Sequence, residues 1–73
     1  MKREPVNSSA IRSMGYNEEE EIVEVEIRQT GKVYDYFHVP LEEYLKFREA
    51  PSIGGYYNIV FKDKFGDNYE EVT

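Results

Sequence analysis

The chain has no cysteine, no tryptophan and a single histidine. Without cysteine there are no disulfides, no thiolate metal sites and no cysteine nucleophile. This fits a reducing compartment, so the expected location is cytoplasmic. Apolar runs are only a few residues long, too short to span a membrane. Met1-Lys2-Arg3-Glu4-Pro5 is charged and no long apolar stretch follows it, unlike a secretory leader. Bases are scarce too: nine Lys and Arg against fifteen Asp and Glu give a formal charge of -6. Such a surface repels phosphate backbones and anionic lipids on average, leaving only a local basic face as a route to nucleic acid.

The chain does have aromatics, seven Tyr and four Phe in 73 residues. A chain this short is one domain and buries only about 60% of its unfolded surface, so large rings must supply much of the core.

Period-2 patterning dominates the first half. Ser9 to Tyr16 reads as a strand, with Gly15 marking a bulge or a close backbone approach. Asn17 to Glu21 reads as a turn. Ile22 to Arg28 alternates, with Val23, Val25 and Ile27 on one face and Glu24, Glu26 and Arg28 on the other. Val33 to Val39 is β-branched and aromatic. A two-residue turn at Thr30-Gly31 sets Ile27 opposite Tyr34, Val25 opposite Tyr36 and Val23 opposite His38. A slip of one residue would place Asp35 among the valines, so Tyr34 and Tyr36 are assigned to the buried face. Glu26 then opposes Asp35 on an acidic outer face expected to be open to water.

Helices follow. Pro40 suits a helix start, Glu42 and Glu43 its positive end, and Leu41, Tyr44, Leu45 and Arg48 share one face. Ala50-Pro51 ends this helix and Ser52 caps a second. In that one Tyr57, Phe61 and Phe65 stack four residues apart, with Gly66 at its C-terminus. The expected fold is α+β: a three-stranded antiparallel β-meander followed by two helices packed on one face, with Tyr34 and Tyr36 buried beside Val25, Ile27, Leu45 and Phe61.

No constellation carries chemistry. His38 lacks a nucleophile or further ligands within the sequence pattern, and reads as a strand-end residue. Gly54-Gly55 at a helix start lacks any second phosphate-loop element. The acids Glu18 to Glu21 show no cation-binding spacing and read as a solvated loop. Lys46, Arg48, Lys62 and Lys64 are interleaved with Glu49 and Asp63, as on a mixed helix surface. The reading is no enzyme, no cofactor and no metal.

Several stretches together resemble a known family. They are Val6 with Ser8-Ser9-Ala10-Ile11, Gly15-Tyr16, Val23-Val25-Ile27, Gly31, Tyr34-Asp35-Tyr36, Val39-Pro40, Tyr44, Ala50, and Ser52 through Asn58. The block from Val6 to Phe65 resembles the KTSC domain, a short module named after the C-terminus of some lysyl-tRNA synthetases. Its recognisable marks are Tyr34 and Tyr36, and then Ser52, Gly54, Tyr56, Tyr57 and Asn58. Phe61 departs from the usual aliphatic, and the acidic tail is extra. The resemblance implies a free-standing KTSC-like domain over 6–66 with tails at 1–5 and 67–73. It defines no catalytic residues, and an RNA-binding role has been proposed for the family from the synthetase fusion alone.

The functional expectation is a non-enzymatic interaction module that binds a protein partner rather than nucleic acid. The alternative is an RNA- or tRNA-binding accessory domain of translation. The Val33–Val39 strand, expected at a sheet edge, is the expected site of partner binding or self-association, with Phe37, Ile22 and Val39 on its face. A competing possibility is that Tyr69-Glu70-Glu71-Val72 folds back over the edge.

Overall fold

A computed structural model describes all 73 residues. Five antiparallel strands lie side by side in chain order: β1 (Glu4–Pro5), β2 (Ile11–Asn17), β3 (Ile22–Ile27), β4 (Val33–Tyr36) and β5 (Tyr69–Glu71). Helix α1 (Leu41–Arg48) follows β4. A second helical segment then runs as α2 (Ile53–Tyr56), a π-helical turn (Tyr57–Phe61) and α3 (Lys62–Phe65). The fold is α+β with the helices on one face, but the sheet has five strands rather than three. Both additions come from the ends of the chain, which the sequence reading treated as tails.

The β3–β4 connection is longer than expected. The Ile27 N–H donates to the Lys32 carbonyl and the Gly31 N–H to the Ile27 carbonyl, each at 2.8 Å. Gly31 supplies the positive φ of 74°. The wider loop moves the register by two residues: Val25 faces Tyr34, Val23 faces Tyr36, and Glu24, not Glu26, faces Asp35. An even shift preserves faces, so the side-chain alternation survives. The strand also stops at Tyr36, because His38 takes a positive φ of 60° and turns the chain. Val39 is therefore fully buried in the core rather than on an outer partner face, while Ile22 and Phe37 are half-buried.

The core gathers Ile11, Met14, Val23, Val25, Tyr36, Val39, Phe47, Tyr57 and Phe61. Helix α1 presents Phe47, which is fully buried. Leu45, expected there, is 41% exposed, and Leu41 is exposed as well. The core prefers the larger ring, which stacks on Tyr56 and Tyr57 and meets Phe61 at 4.5 Å between centroids. The Ser52 hydroxyl accepts from the Gly55 N–H at 3.1 Å, as an N-cap should.

Gly15 marks a close approach: a Cβ there would lie 2.5 Å from the Lys2 carbonyl oxygen. The N-terminal arm thus crosses the outer sheet face, where Arg3 donates to Ser13 at 3.0 Å and pairs with Glu24 at 2.7 Å. That face is not open to water as expected. Asp35 has one carboxylate oxygen buried, and the row Glu24–Asp35–Glu70 runs across β3, β4 and β5. Burial, a proton shared with Glu24 and the charges of Glu24 and Glu70 push Asp35 up to about 7. Burial alone would also raise Glu24, but the hydrogen bonds to Asp35 and Arg3 outweigh it and hold Glu24 below its ordinary value.

Candidate functional site

The helices do not reach the β3–β4 loop end of the sheet. There the core face of the sheet, the π-helical turn and the loop enclose a groove of about 610 Å³. Its floor is tyrosine. Residues i and i+2 of β4 share a face: Tyr36 is almost fully buried against Tyr57 and Phe61 of the second helical segment, and Tyr34 is half-buried. Tyr69 of β5 forms one wall, stacked on Tyr36 at 5.4 Å and edge-on to Tyr34 at 5.8 Å. Tyr57 forms the other.

The Tyr36 and Tyr57 hydroxyls meet at 2.7 Å, so each satisfies the other away from water. Burial raises both above the ordinary tyrosine range. The hydrogen bond from Tyr36 pushes Tyr57 further up, while the bond with Tyr57 partly offsets the shift of Tyr36. Both phenols are neutral across the physiological range. They build the floor of the groove.

The π-helical turn matters for this geometry. Widening the helix by one residue keeps Tyr57 and Phe61 both buried. It leaves the exposed Asn58 and Lys62 along the groove. Such single π turns occur often at functional sites. The Lys62 ammonium sits 5.3 Å from the centre of the Tyr57 ring. The other members of the sequence's basic cluster have carboxylate partners: Lys46 and Lys64 share Glu43 at 3.3 and 2.9 Å, and Arg48 reaches Glu4 at 4.0 Å. Lys62 has no carboxylate partner within the chain, and Asp67 also lines the groove.

A second recess of about 370 Å³ adjoins the groove through Ser9, Ala10 and Asn58. Here the singled-out residues mostly build structure. The Ser8 hydroxyl accepts from the Ala10 and Ile11 N–H groups at 3.1 and 3.2 Å. A Cβ on Gly54 would lie 3.0 Å from that of Ala10, so glycine allows the helix to seat against this loop. Tyr56 is part of the packing around Phe47. Tyr16, in contrast, lies away from the groove; it stacks on Tyr44 at 4.7 Å and donates to the Val39 carbonyl at 2.6 Å.

Of the residues the sequence picked out, Tyr34, Tyr36 and Asn58 come together in the groove, with Ser52 and Gly54 in the adjoining recess. Phe37 and His38 lie in a separate shallow depression against Phe65. The Val33–Val39 edge is not free: β5 pairs with β4, Tyr36 opposite Tyr69 and Tyr34 opposite Glu71. Sequence reasoning missed Tyr69 and Lys62 as groove residues. For β5 the sequence offered only the fold-back of Tyr69-Glu70-Glu71-Val72 as a competing possibility. No local signal singled out Lys62, because its isolation depends on the pairing of its neighbours.

The architecture is that of a small antiparallel sheet backed by two helices, with a tyrosine-lined groove at one end. The chain belongs to the KTSC domain family, which it matches over residues 7–65. It is 45% identical over 62 residues to an uncharacterised protein of Stutzerimonas stutzeri strain A1501, covering 85% of this chain and 86% of that one. The crystal structure of a KTSC domain protein from Yersinia pestis superposes with a TM-score of 0.88 at 33% identity, covering 99% of this chain and 97% of that one. No helix is long and apolar enough to cross a membrane.

Proposed function

We propose that this KTSC domain is a non-enzymatic interaction module that binds a partner protein through the tyrosine-lined groove. The observation that carries the reading is convergence. Tyr34, Tyr36 and Asn58, from stretches distant in sequence, meet along one concave surface with an apolar floor and polar rim. That composition is typical of binding sites. The groove's buried phenols are held neutral, which supports a binding role over catalysis. His38 lies outside it, in the depression beside Phe65.

The groove replaces the β4 edge as the expected contact, since β5 occupies that edge. RNA binding as an accessory to translation is the second reading. It draws on the half-exposed Tyr69 near Lys62. The formal charge of -6 weighs against it.

Capture from native lysate tests the proposal. Asn58→Arg fills the groove rim at an exposed position, whereas Lys46→Gln changes the distant surface of α1. Loss of a captured protein with the first variant alone supports the groove. Equal capture by both sinks it.

A further inference from the structure

Around the groove the charge is not the average charge of the molecule. Lys62 on the helix has no carboxylate partner. On the opposite side lies the β3–β4 loop, whose Gln29 and Thr30 line the groove. This loop carries Arg28 and Lys32, both exposed and also without an ion pair. Arg28 is fixed there, since its Nε donates to the Ser8 carbonyl at 3.0 Å. The Lys32 backbone N–H donates to the Thr30 hydroxyl at 3.2 Å, which shapes the loop, and its side chain is exposed. One unpaired cation, Lys62, therefore lines the groove, and two more, Arg28 and Lys32, flank Gln29 and Thr30 on the loop beside it.

Asp67 lines the tail side of the groove, and Glu71 lies opposite Tyr34 in the β4–β5 ladder. The groove is thus flanked by Lys62 of α3 and by Arg28 and Lys32 of the loop, with Asp67 and Glu71 towards β5, and with Asp63 exposed and unpaired beside Lys62 on α3. Charges separated by more than about 8 Å are screened at physiological salt, so these local groups outweigh the distant acids for a ligand already in the groove.

We propose that the groove takes an extended acidic peptide segment, with its carboxylates against Lys62, Arg28 and Lys32 and an apolar or aromatic side chain on Tyr34 beside Tyr69. This rests on the reading of the groove as a protein-binding surface and names the chemistry of the partner. Orientation follows from these charges: the acidic residues lie over the loop and the helix, and the end near β5 is neutral or basic. A peptide suits the site better than a nucleic-acid strand. The edge of Tyr69 is turned onto Tyr34, which limits base stacking there, and a continuous phosphate backbone would meet Asp67 and Glu71.

The test is a titration of the full 73-residue chain, followed by amide NMR. Three probes are used: a nonapeptide of Asp and Glu with a central Phe, the same peptide with Asn and Gln in place of the acids, and an octamer of single-stranded RNA. The acidic peptide is expected to shift the Tyr34, Asn58 and Lys62 amides. The amide-substituted peptide should bind about tenfold more weakly, as should the acidic peptide to Lys62→Glu, since each loses a charge-assisted contact. Lys62 is exposed, so this variant folds, and unchanged shifts elsewhere check that.

Equal binding of the acidic and amide peptides overturns the charge assignment. So does an acidic peptide that leaves the groove amides unmoved. In either case the lysate capture with Asn58→Arg still reports separately on the groove as an interface. Tighter binding of the RNA octamer at the same amides overturns the proposal in favour of nucleic acid.

Discussion

Removing both hydroxyls of the buried Tyr36–Tyr57 pair should cost less than the two single removals added together. The two oxygens are 2.7 Å apart, and the residues are 3% and 5% exposed. In Tyr36→Phe the Tyr57 hydroxyl keeps its desolvation penalty and loses its partner, which costs about 1–3 kcal/mol. Tyr57→Phe leaves Tyr36 in the same state. The double substitution leaves two phenyl rings in unchanged packing, including the edge contact of Tyr36 with Phe61 at 5.0 Å. It should cost less than the sum of the singles by about 1–2 kcal/mol. A domain of this size has only about 4–11 kcal/mol of stability, so each single change is large. Near the midpoint 1 kcal/mol corresponds to about 4–8 °C. Thermal unfolding of the four proteins by circular dichroism closes the cycle. Additive singles would refute the pair as a mutually satisfying unit, and unchanged midpoints would place both hydroxyls in contact with water.

The outer face predicts an unusual pH response. Asp35 is raised to about 7, so between its unfolded value near 4 and about 7 the native state holds a proton the unfolded state has lost. Stability therefore falls as pH rises through that window. Glu24, held low, works oppositely and loses stability only as pH falls through its depressed value. Asp35→Asn should melt above the parent protein at pH 8, with the gap narrowing towards pH 5, by thermal unfolding across pH. Phe47→Ala should cost about 3–5 kcal/mol, because the ring is fully buried, whereas Leu45→Ala should cost under about 1 kcal/mol, as read from urea midpoints. Deleting residues 67–73 should strip amide-exchange protection from the Phe37 N–H, which donates to the Asn68 carbonyl at 3.0 Å, and from Val33, whose N–H donates to the Thr73 hydroxyl at 2.9 Å. Retained protection would mean β5 does not hold the edge in solution.

Local alternation made the central strands readable. Val23, Val25, Tyr34 and Tyr36 share a face in both sequence and structure because parity survives any even slip. The register itself depends on loop length, and Thr30-Gly31 sits in a five-residue connection, Arg28 to Lys32, that nothing in its composition reveals. Helix α1 was readable as a helix but not in its facing. Leu45 and Phe47 both offer apolar surface, and tertiary packing around Tyr57 and Phe61 chooses between them. The short strands β1 and β5 carry two and three residues, too few for a periodic signal. Part of the groove was visible because its tyrosines and Asn58 belong to recognisable stretches. Its flanking charges were not, since they depend on which lysines Glu43 pairs with.

The terminal strands explain why the proposed binding is assigned to the groove and not to a sheet edge. A three-stranded meander would expose two edges and an outer face carrying opposed carboxylates. The Arg3 guanidinium answers Glu24 on that face, and the N-terminal backbone fits only because Gly15 has no side chain. At one border β1 ends in Pro5, which has no N–H to donate. At the other, β5 presents Glu70 and Glu71, and both borders are short; these are the devices by which sheets resist further pairing. β-Augmentation therefore requires β5 to leave, losing the stacking of Tyr69 on Tyr36 as well as its hydrogen bonds. A ligand entering the groove needs no such displacement, because Tyr34 and Lys62 already face it. The tail that closes the edge also supplies Tyr69 as the groove's wall. Its removal should therefore uncover the strand and degrade the groove together.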